Sequence, residues 1–111
     1  MIFCILLFVS CEDYSNQEIN QLLRSDDPEK IIKALYLIGE KRDTTFLQEI
    51  IDNPYDPRVS HDLRFKGISV YQSKMIALKK ISGTLPPREI TYQPDSVIVK
   101  FYCKWVNEKL R

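Results

Sequence analysis

The sequence is poor in the residues from which most metal centres and many enzyme sites are built. Its 111 residues include one histidine and three cysteines, whereas a closed zinc site takes four ligands, mainly of these two types. It contains no glycine-rich phosphate loop, no Cys-x-x-Cys pair and no Gly-x-Ser-x-Gly motif. We therefore expect a protein that is not an enzyme and that needs no metal ion or other cofactor.

Glycine is scarce as well, and neither sign of charge dominates. Three glycines and six prolines leave room for long helices. The 16 basic and 15 acidic residues give a net charge of +1, which is not the basic footprint of a nucleic-acid-binding protein. The apolar fraction of 44% and the charged fraction of 28% are those of an ordinary globular protein. These values predict one folded domain without a nucleic-acid partner.

No apolar run is long enough to cross a bilayer as a helix, which takes about 20 residues. The longest run, residues 2–9, has instead the length of a signal-peptide core. It ends at residues 8–11, Phe-Val-Ser-Cys, and acidic residues follow at once. This segment resembles a bacterial lipobox, in which the cysteine is lipidated and becomes the new N-terminus. The alternative is that residues 2–9 form a buried N-terminal strand or helix.

The resemblance to a lipobox implies that residues 1–10 are a signal peptide and that residues 11–14 are a tether with lipid on Cys11. The protein would then be a membrane-anchored lipoprotein of the bacterial cell envelope, facing the periplasm or the exterior. Because Cys4 would be removed with the signal peptide, Cys103 would be the only thiol left, and no intrachain disulfide could form. We expect Cys103 to be a small core residue, the alternative being a reactive or intermolecular thiol.

Capping motifs and apolar spacing predict five helices. Ser15 and Ser69 each begin a capping-box pattern, and Asp27-Pro28 is an acidic cap followed by proline. Gly83 suits a left-handed helix end. The predicted helices span about 16–24, 28–41, 44–52, 70–82 and 96–110.

Two segments between the predicted helices are expected to lack helical structure. Residues 53–68 are predicted to be a long ordered loop with no regular element, and residues 88–93 to be extended with at most a short strand. The loop holds the only histidine among several charges, and the last helix is rich in aromatic side chains. The residues predicted to contact a partner are His61, Arg58, Arg64, Tyr102 and Trp105.

The second and fourth predicted helices share a pattern. Ala34-Leu35 aligns with Ala77-Leu78, an offset of 43 residues (77 − 34 and 78 − 35), within the period of HEAT and armadillo repeats. Residues 26–52 and 69–83 resemble bacterial HEAT-like repeats. The resemblance implies an all-α fold for residues 15–111, a short HEAT-like α-solenoid of two helix pairs with helix 16–24 as a leading half-repeat.

Helical repeats of this kind are scaffolds that bind other proteins, and they share no catalytic residues. The resemblance therefore implies a non-catalytic module with a protein partner at the envelope membrane. The alternative function is a small-ligand-binding or enzyme-accessory protein that uses the 53–68 loop. An exposed aromatic patch on helix 96–110 would favour the first function, and a closed pocket around His61 would favour the second.

Overall fold

Side-chain caps begin four of the five helices in the computed structural model, which describes residues 14–61 and 67–111. The helices are α1 (Asn16–Leu23), α2 (Pro28–Lys41), α3 (Leu47–Ile51), α4 (Val70–Ser82) and α5 (Ser96–Lys109). The capping side chains, each accepting a main-chain N–H of the first turn, are Ser15, Asp27, Ser69 and Asp95. The Ser15 capping box with Glu18 is complete. The described residues contain no strand, so the all-α prediction is confirmed.

Helix α3 is shorter than predicted. The carboxylate of Asp43 accepts the N–H of Thr45 at 2.9 Å, which makes a side-chain turn rather than a helix start. The helix begins only at Leu47 and has no side-chain cap. The prediction of a helix from residue 44 was therefore wrong at its N-terminal end.

Helix α2 packs along α4, and this is the most extensive contact between helices of the described chain. Helix α1 packs on α2, and α5 packs on both α3 and α4. Leu35 and Leu78 are 1% and 0% exposed, so both predicted core leucines are buried. No helix within residues 14–61 and 67–111 combines the length and hydrophobicity needed to cross a bilayer.

Gly39 lies at a close approach between α2 and α4. A Cβ atom at this position would lie 3.3 Å from the Cα atom of Ala77. The helix continues past the glycine to Lys41, and the left-handed residue at its end is Arg42, with φ of 51°. Gly39 therefore serves the packing of two helices, whereas Gly83, with φ of 68°, ends α4 as predicted.

The long loop is more regular than predicted. Val59 pairs with Ser69 in an isolated antiparallel β-bridge. The N–H of Ser60 donates to the carbonyl of Ile68 at 2.9 Å, and the N–H of Val70 donates to the carbonyl of Arg58 at 2.8 Å. Main-chain hydrogen bonds thus join the described part of the loop to the start of α4.

Candidate functional site

The segment after α3, residues 52–61, is called the connector here, and an ion pair lies at its centre. The guanidinium of Arg58 donates from Nη2 to Asp56 Oδ2 at 2.7 Å and from Nε to Asp56 Oδ1 at 3.0 Å. Its Nη1 donates to the carbonyl of Asp26 at 2.8 Å, just before α2. The N–H of Tyr71, in the first turn of α4, donates to the carbonyl of Asp56 at 2.8 Å. The connector therefore joins the N-terminal ends of α2 and α4.

The ion pair is buried on its acidic side only. Asp56 is 6% exposed, while the side chain of Arg58 is 45% exposed and shields it from water. The hydrogen bonds from Arg58 hold the pKa of Asp56 below its usual range, although burial opposes the shift. The same bonds raise the pKa of Arg58. The pair therefore stays charged at neutral pH.

Lys74 is a buried cation on α4. It is 7% exposed, and its Nζ donates to the carbonyls of Asp52 at 2.6 Å and Asn53 at 3.1 Å. Asp52 is the C-terminal capping residue of α3, and Asn53 follows it. Carbonyl groups at the C-terminal end of a helix have no N–H donor within the helix. Burial lowers the pKa of Lys74, while the charges of Asp56 and Asp52 act in the opposite direction. Lys74 therefore holds the C-terminal end of α3 against α4.

A cleft of about 390 Å³ opens beside Lys74 and the connector. Its walls come from the end of α1, the start of α2, the end of α3, the connector and α4. Its lining residues are Leu23, Arg24, Ser25, Ile31, Glu49, Asp52, Asn53, Asp56, Arg58, Val70 and Lys74. Both signs of charge lie near apolar side chains here, so the cleft has the character of a site for a small polar molecule.

Two of the predicted site residues outside the last helix, His61 and Arg58, lie in the described part of the connector. His61 is exposed, does not line the cleft beside Lys74, and donates its main-chain N–H to Glu29 Oε2 at 3.0 Å. Arg58 is held in the ion pair with Asp56. The predictions for Arg64 and Cys11 lie outside the described residues. Of the two described residues, Arg58 lines the cleft beside Lys74 and His61 does not.

The aromatic residues of α5 face the protein more than solvent. Tyr102 is buried, and its hydroxyl donates to the carbonyl of Thr84 at 2.8 Å. Burial raises the pKa of Tyr102 to about 12. Trp105 is half-buried, with Lys109 Nζ 5.7 Å from the centre of its ring. Tyr102 is therefore part of the core, and the exposed large apolar side chains of α5 are Val97 and the capping residue Leu110.

The sequence analysis missed Lys74 and Asp56. A signal for Lys74 was present, because it lies three residues after Tyr71 and four before Leu78, on the apolar side of α4. No local sequence pattern predicts the burial of Asp56, because the groups that contact it belong to α4 and to Arg58.

No three His, Cys, Asp or Glu side chains in the described ranges lie close enough together to bind a metal ion. Cys103 is half-buried, and burial raises the pKa of its thiol, which lowers its reactivity at neutral pH.

Comparison with protein-family models, with curated proteins and with solved structures found no match to this chain.

Proposed function

We propose that the protein is a non-catalytic protein-binding module that a lipid on Cys11 holds at the bacterial cell envelope. The observation that supports the module best is the equivalent burial of α2 and α4. Ala34 and Ala77 are 0% and 2% exposed, and Leu35 and Leu78 are 1% and 0% exposed. Members of each pair lie 43 residues apart, as two stacked repeats require.

The order of the other helices along the chain fits the same arrangement, while the helix contacts of α3 are with α4 and α5. Helix α3 follows α2, and α5 follows α4, so two helix pairs stand in chain order. Helix α1 packs on α2, as a leading half-repeat would. Stacking buries a continuous core in such proteins, because each unit covers the apolar side of its neighbour. A short HEAT-like solenoid is our proposal for this order of helices.

The surface best suited to a protein partner lies at the linker after α4. Leu85 is 73% exposed. It lines an open groove of about 480 Å³ together with Ile76, Lys79, Pro86, Pro87, Arg88, Glu89 and Ile90. Exposed apolar groups with a polar rim are typical of protein-binding surfaces. The groove therefore suits a partner that offers an apolar anchor.

Cross-linking in the native envelope tests the protein-binding function. The full chain would be tagged, cross-linked and purified, and the Leu85→Ser variant would be compared with Leu110→Ser. Leu110 is 51% exposed at the end of α5, so it is a matched control for loss of a surface leucine. We expect one partner protein to be lost from Leu85→Ser and kept by Leu110→Ser. Equal recovery by both variants would contradict the groove as the binding surface.

The anchor is tested by Cys11→Ser, expressed as the full chain in a bacterial host. We expect loss of acyl labelling, with accumulation of the uncleaved precursor or appearance in a soluble fraction. Cys103→Ser is the control, and it should keep both the label and the membrane fraction. Each buried methylene of an acyl chain contributes about 0.8 kcal/mol to membrane binding. A single chain therefore binds reversibly, and stable attachment needs more than one. Wild-type protein without acyl label would refute the anchor and leave the helical module standing.

The cleft beside Lys74 favours the alternative function of a small-ligand-binding or accessory protein. Its volume of about 390 Å³ is within the range of small-molecule sites. Native mass spectrometry of the protein purified from its envelope would test this function. A bound molecule that is lost in Arg24→Ala would support it, because Arg24 is an exposed residue of the lining. Protein of the unliganded mass in both samples would count against it.

A further inference from the structure

Charged side chains of both signs line the cleft beside Lys74, and their numbers are balanced. The three cations and three anions of the lining are Arg24, Arg58, Lys74, Glu49, Asp52 and Asp56. Arg58 and Asp56 form the ion pair of the connector, which leaves two charges of each sign. Asp26 and Asp27, outside the lining, also act on Arg58. A ligand with a large net charge, such as a phosphate, would therefore gain little attraction from the cleft as a whole.

Glu49 and Asp52 form the anionic part of the cleft. Glu49 lies in α3 and Asp52 is its C-terminal capping residue, and side chains three residues apart are neighbours on one side of a helix. Neither carboxylate has an ion-pair or hydrogen-bond partner among the described residues. Two like charges at this spacing repel each other, and both lie at the negative end of the helix dipole. A cation bound between them would remove this repulsion.

Lys74 brings an unused donor to the same cleft. An ammonium group has three N–H donors, and Lys74 uses two of them for the carbonyls of Asp52 and Asn53. The third has no acceptor among the described residues, although Lys74 is only 7% exposed. An unpaired donor of a buried charged group is costly. A carboxylate bound in the cleft would supply the missing acceptor, and the exposed guanidinium of Arg24 adds a second cation for it.

The unused donor and the unpaired carboxylates are close together. Lys74 Nζ bonds the carbonyl of Asp52 at 2.6 Å, so both signs of charge lie at the same end of α3. An α-amino acid carries its ammonium group and its carboxylate on one carbon atom, and its charges can therefore reach neighbouring groups of opposite sign. The apolar residues of the lining are Leu23, Ile31 and Val70. Such residues suit an apolar side chain.

We propose that the cleft beside Lys74 binds a small α-amino acid with an apolar side chain. The ammonium group of the ligand lies between Glu49 and Asp52, its carboxylate accepts from Lys74 and Arg24, and its side chain packs on the apolar lining. The cleft volume of about 390 Å³ is near the lower end of the range for small-molecule sites, which suits a ligand of this size. This inference rests on the alternative function, small-ligand binding at this cleft, and names its ligand class.

Calorimetric titration of the full chain tests the ligand class. The probes are L-leucine, L-isoleucine and L-phenylalanine. Each is compared with the carboxylic acid that lacks its amino group and with the amine that lacks its carboxyl group. We expect at least one amino acid to bind. Removal of either charged group should weaken binding about tenfold or more, because it deletes the charge-assisted hydrogen bonds at one side of the site.

Two isosteric or shortened variants assign each charge of the ligand to its side of the cleft. Glu49→Gln should weaken binding of the amino acid about tenfold, which corresponds to about 1.4 kcal/mol, and should not change binding of the acid that lacks the amino group. Arg24→Gln should weaken binding of the amino acid and not that of the amine. Glu108→Gln and Arg111→Gln, at exposed positions of the C-terminal end, are the matched controls and should bind as the wild type does. Circular dichroism verifies the folding of each variant.

Several results would overturn the ligand class and leave small-ligand binding intact. Equal binding of an amino acid and of its acid or amine would do so, as would binding that Glu49→Gln does not change. A molecule other than an amino acid, found by native mass spectrometry on protein purified from its envelope, would have the same consequence. Failure of every probe to bind, together with an unliganded mass of the native protein, would refute the ligand class and the small-ligand function together.

Discussion

Helices α2 and α4 share a core pattern, but one position that is buried in both helices is apolar in α2 and charged in α4. Lys74 of α4 corresponds to Ile31 of α2 at the offset of 43 residues (74 − 43). The two are 7% and 6% exposed. An apolar side chain fills the position in α2, and an ammonium group bonded to two carbonyls occupies it in α4. The position on the helix is thus common to both, while the residue type follows from the neighbouring segment.

The neighbour that requires a cation is the end of α3. Carbonyls at a helix C-terminus lack internal donors, and their partial negative charge favours a cation. Burial of an ammonium group is costly unless hydrogen bonds replace its hydration. The carbonyls of Asp52 and Asn53 supply those bonds, so lysine at position 74 satisfies the helix end and the buried charge together.

The largest loss of stability is expected at the equivalent leucines of α2 and α4. Leu35→Ala and Leu78→Ala should each lower the free energy of unfolding by about 2–5 kcal/mol, because each leaves a cavity between the two helices. Chemical denaturation of both variants measures the loss. Leu85→Ala is the control, with an expected change within about 0.5 kcal/mol, since Leu85 is largely exposed. A loss under about 0.5 kcal/mol in both core variants would contradict the equivalent packing.

The next largest loss of stability is expected at position 74, where the two helices differ in residue type. Lys74→Met keeps an apolar stem but removes the donor to the carbonyls of Asp52 and Asn53. We expect a loss of about 1–3 kcal/mol in the free energy of unfolding, the contribution of hydrogen bonds made by a charged donor. Lys79→Met, on the exposed side of the same helix, should change it by less than about 0.5 kcal/mol. A Lys74→Met variant as stable as the wild type would show that α4 tolerates the apolar residue type found in α2.

A smaller loss of stability is expected on breaking the ion pair that joins the N-terminal ends of the two helices. Asp56→Asn should lower the free energy of unfolding by about 1 kcal/mol at neutral pH, since Arg58 is partly exposed and water screens the pair. The folded-state pKa of Asp56 lies below its ordinary value of 3.8. The contribution of this carboxylate is therefore complete above pH 3.8 and is lost as the pH falls through the folded-state pKa.

Denaturation of the wild type and of Asp56→Asn over a range of pH measures this dependence. The difference in stability between them should stay constant above pH 3.8 and shrink below it. A difference that persists unchanged into strong acid would mean that the Asp56 carboxylate does not stabilise the join between α2 and α4.

The smallest effect is expected at the end of the connector. His61→Ala should change the free energy of unfolding by less than about 0.5 kcal/mol, because the side chain is exposed and the bond to Glu29 comes from the main chain. Recovery of the cross-linked partner should also stay the same. Loss of that partner, or of a bound small molecule, with stability unchanged would favour the alternative function at the connector.

The sequence predicted the helices well because their start signals are local. Ser15, Asp27 and Ser69 were recognised as caps from residues within one helical turn, and each accepts the expected N–H. The apolar spacing within α2 and α4 likewise predicted the buried leucines. Helix α3 was predicted less well, since Asp43 has the same residue type as a cap but bonds in a turn.

The candidate site was predicted less well because it depends on contacts between distant segments. Arg58 was recognised as a charged loop residue, but its bond to the carbonyl of Asp26 joins residues 32 positions apart. Tyr102 was predicted to contact a partner, and its burial follows from its bond to Thr84 and from the packing of α5 on two helices. Such contacts follow from the packing of the helices and not from local spacing.

The most direct measurement of the proposed function is the mass of the N-terminal peptide from wild-type protein purified out of its native membrane. The account predicts that this peptide begins at Cys11 and carries acyl groups on it. An unmodified Cys11 within a peptide that still includes residues 8–10 would contradict the anchor.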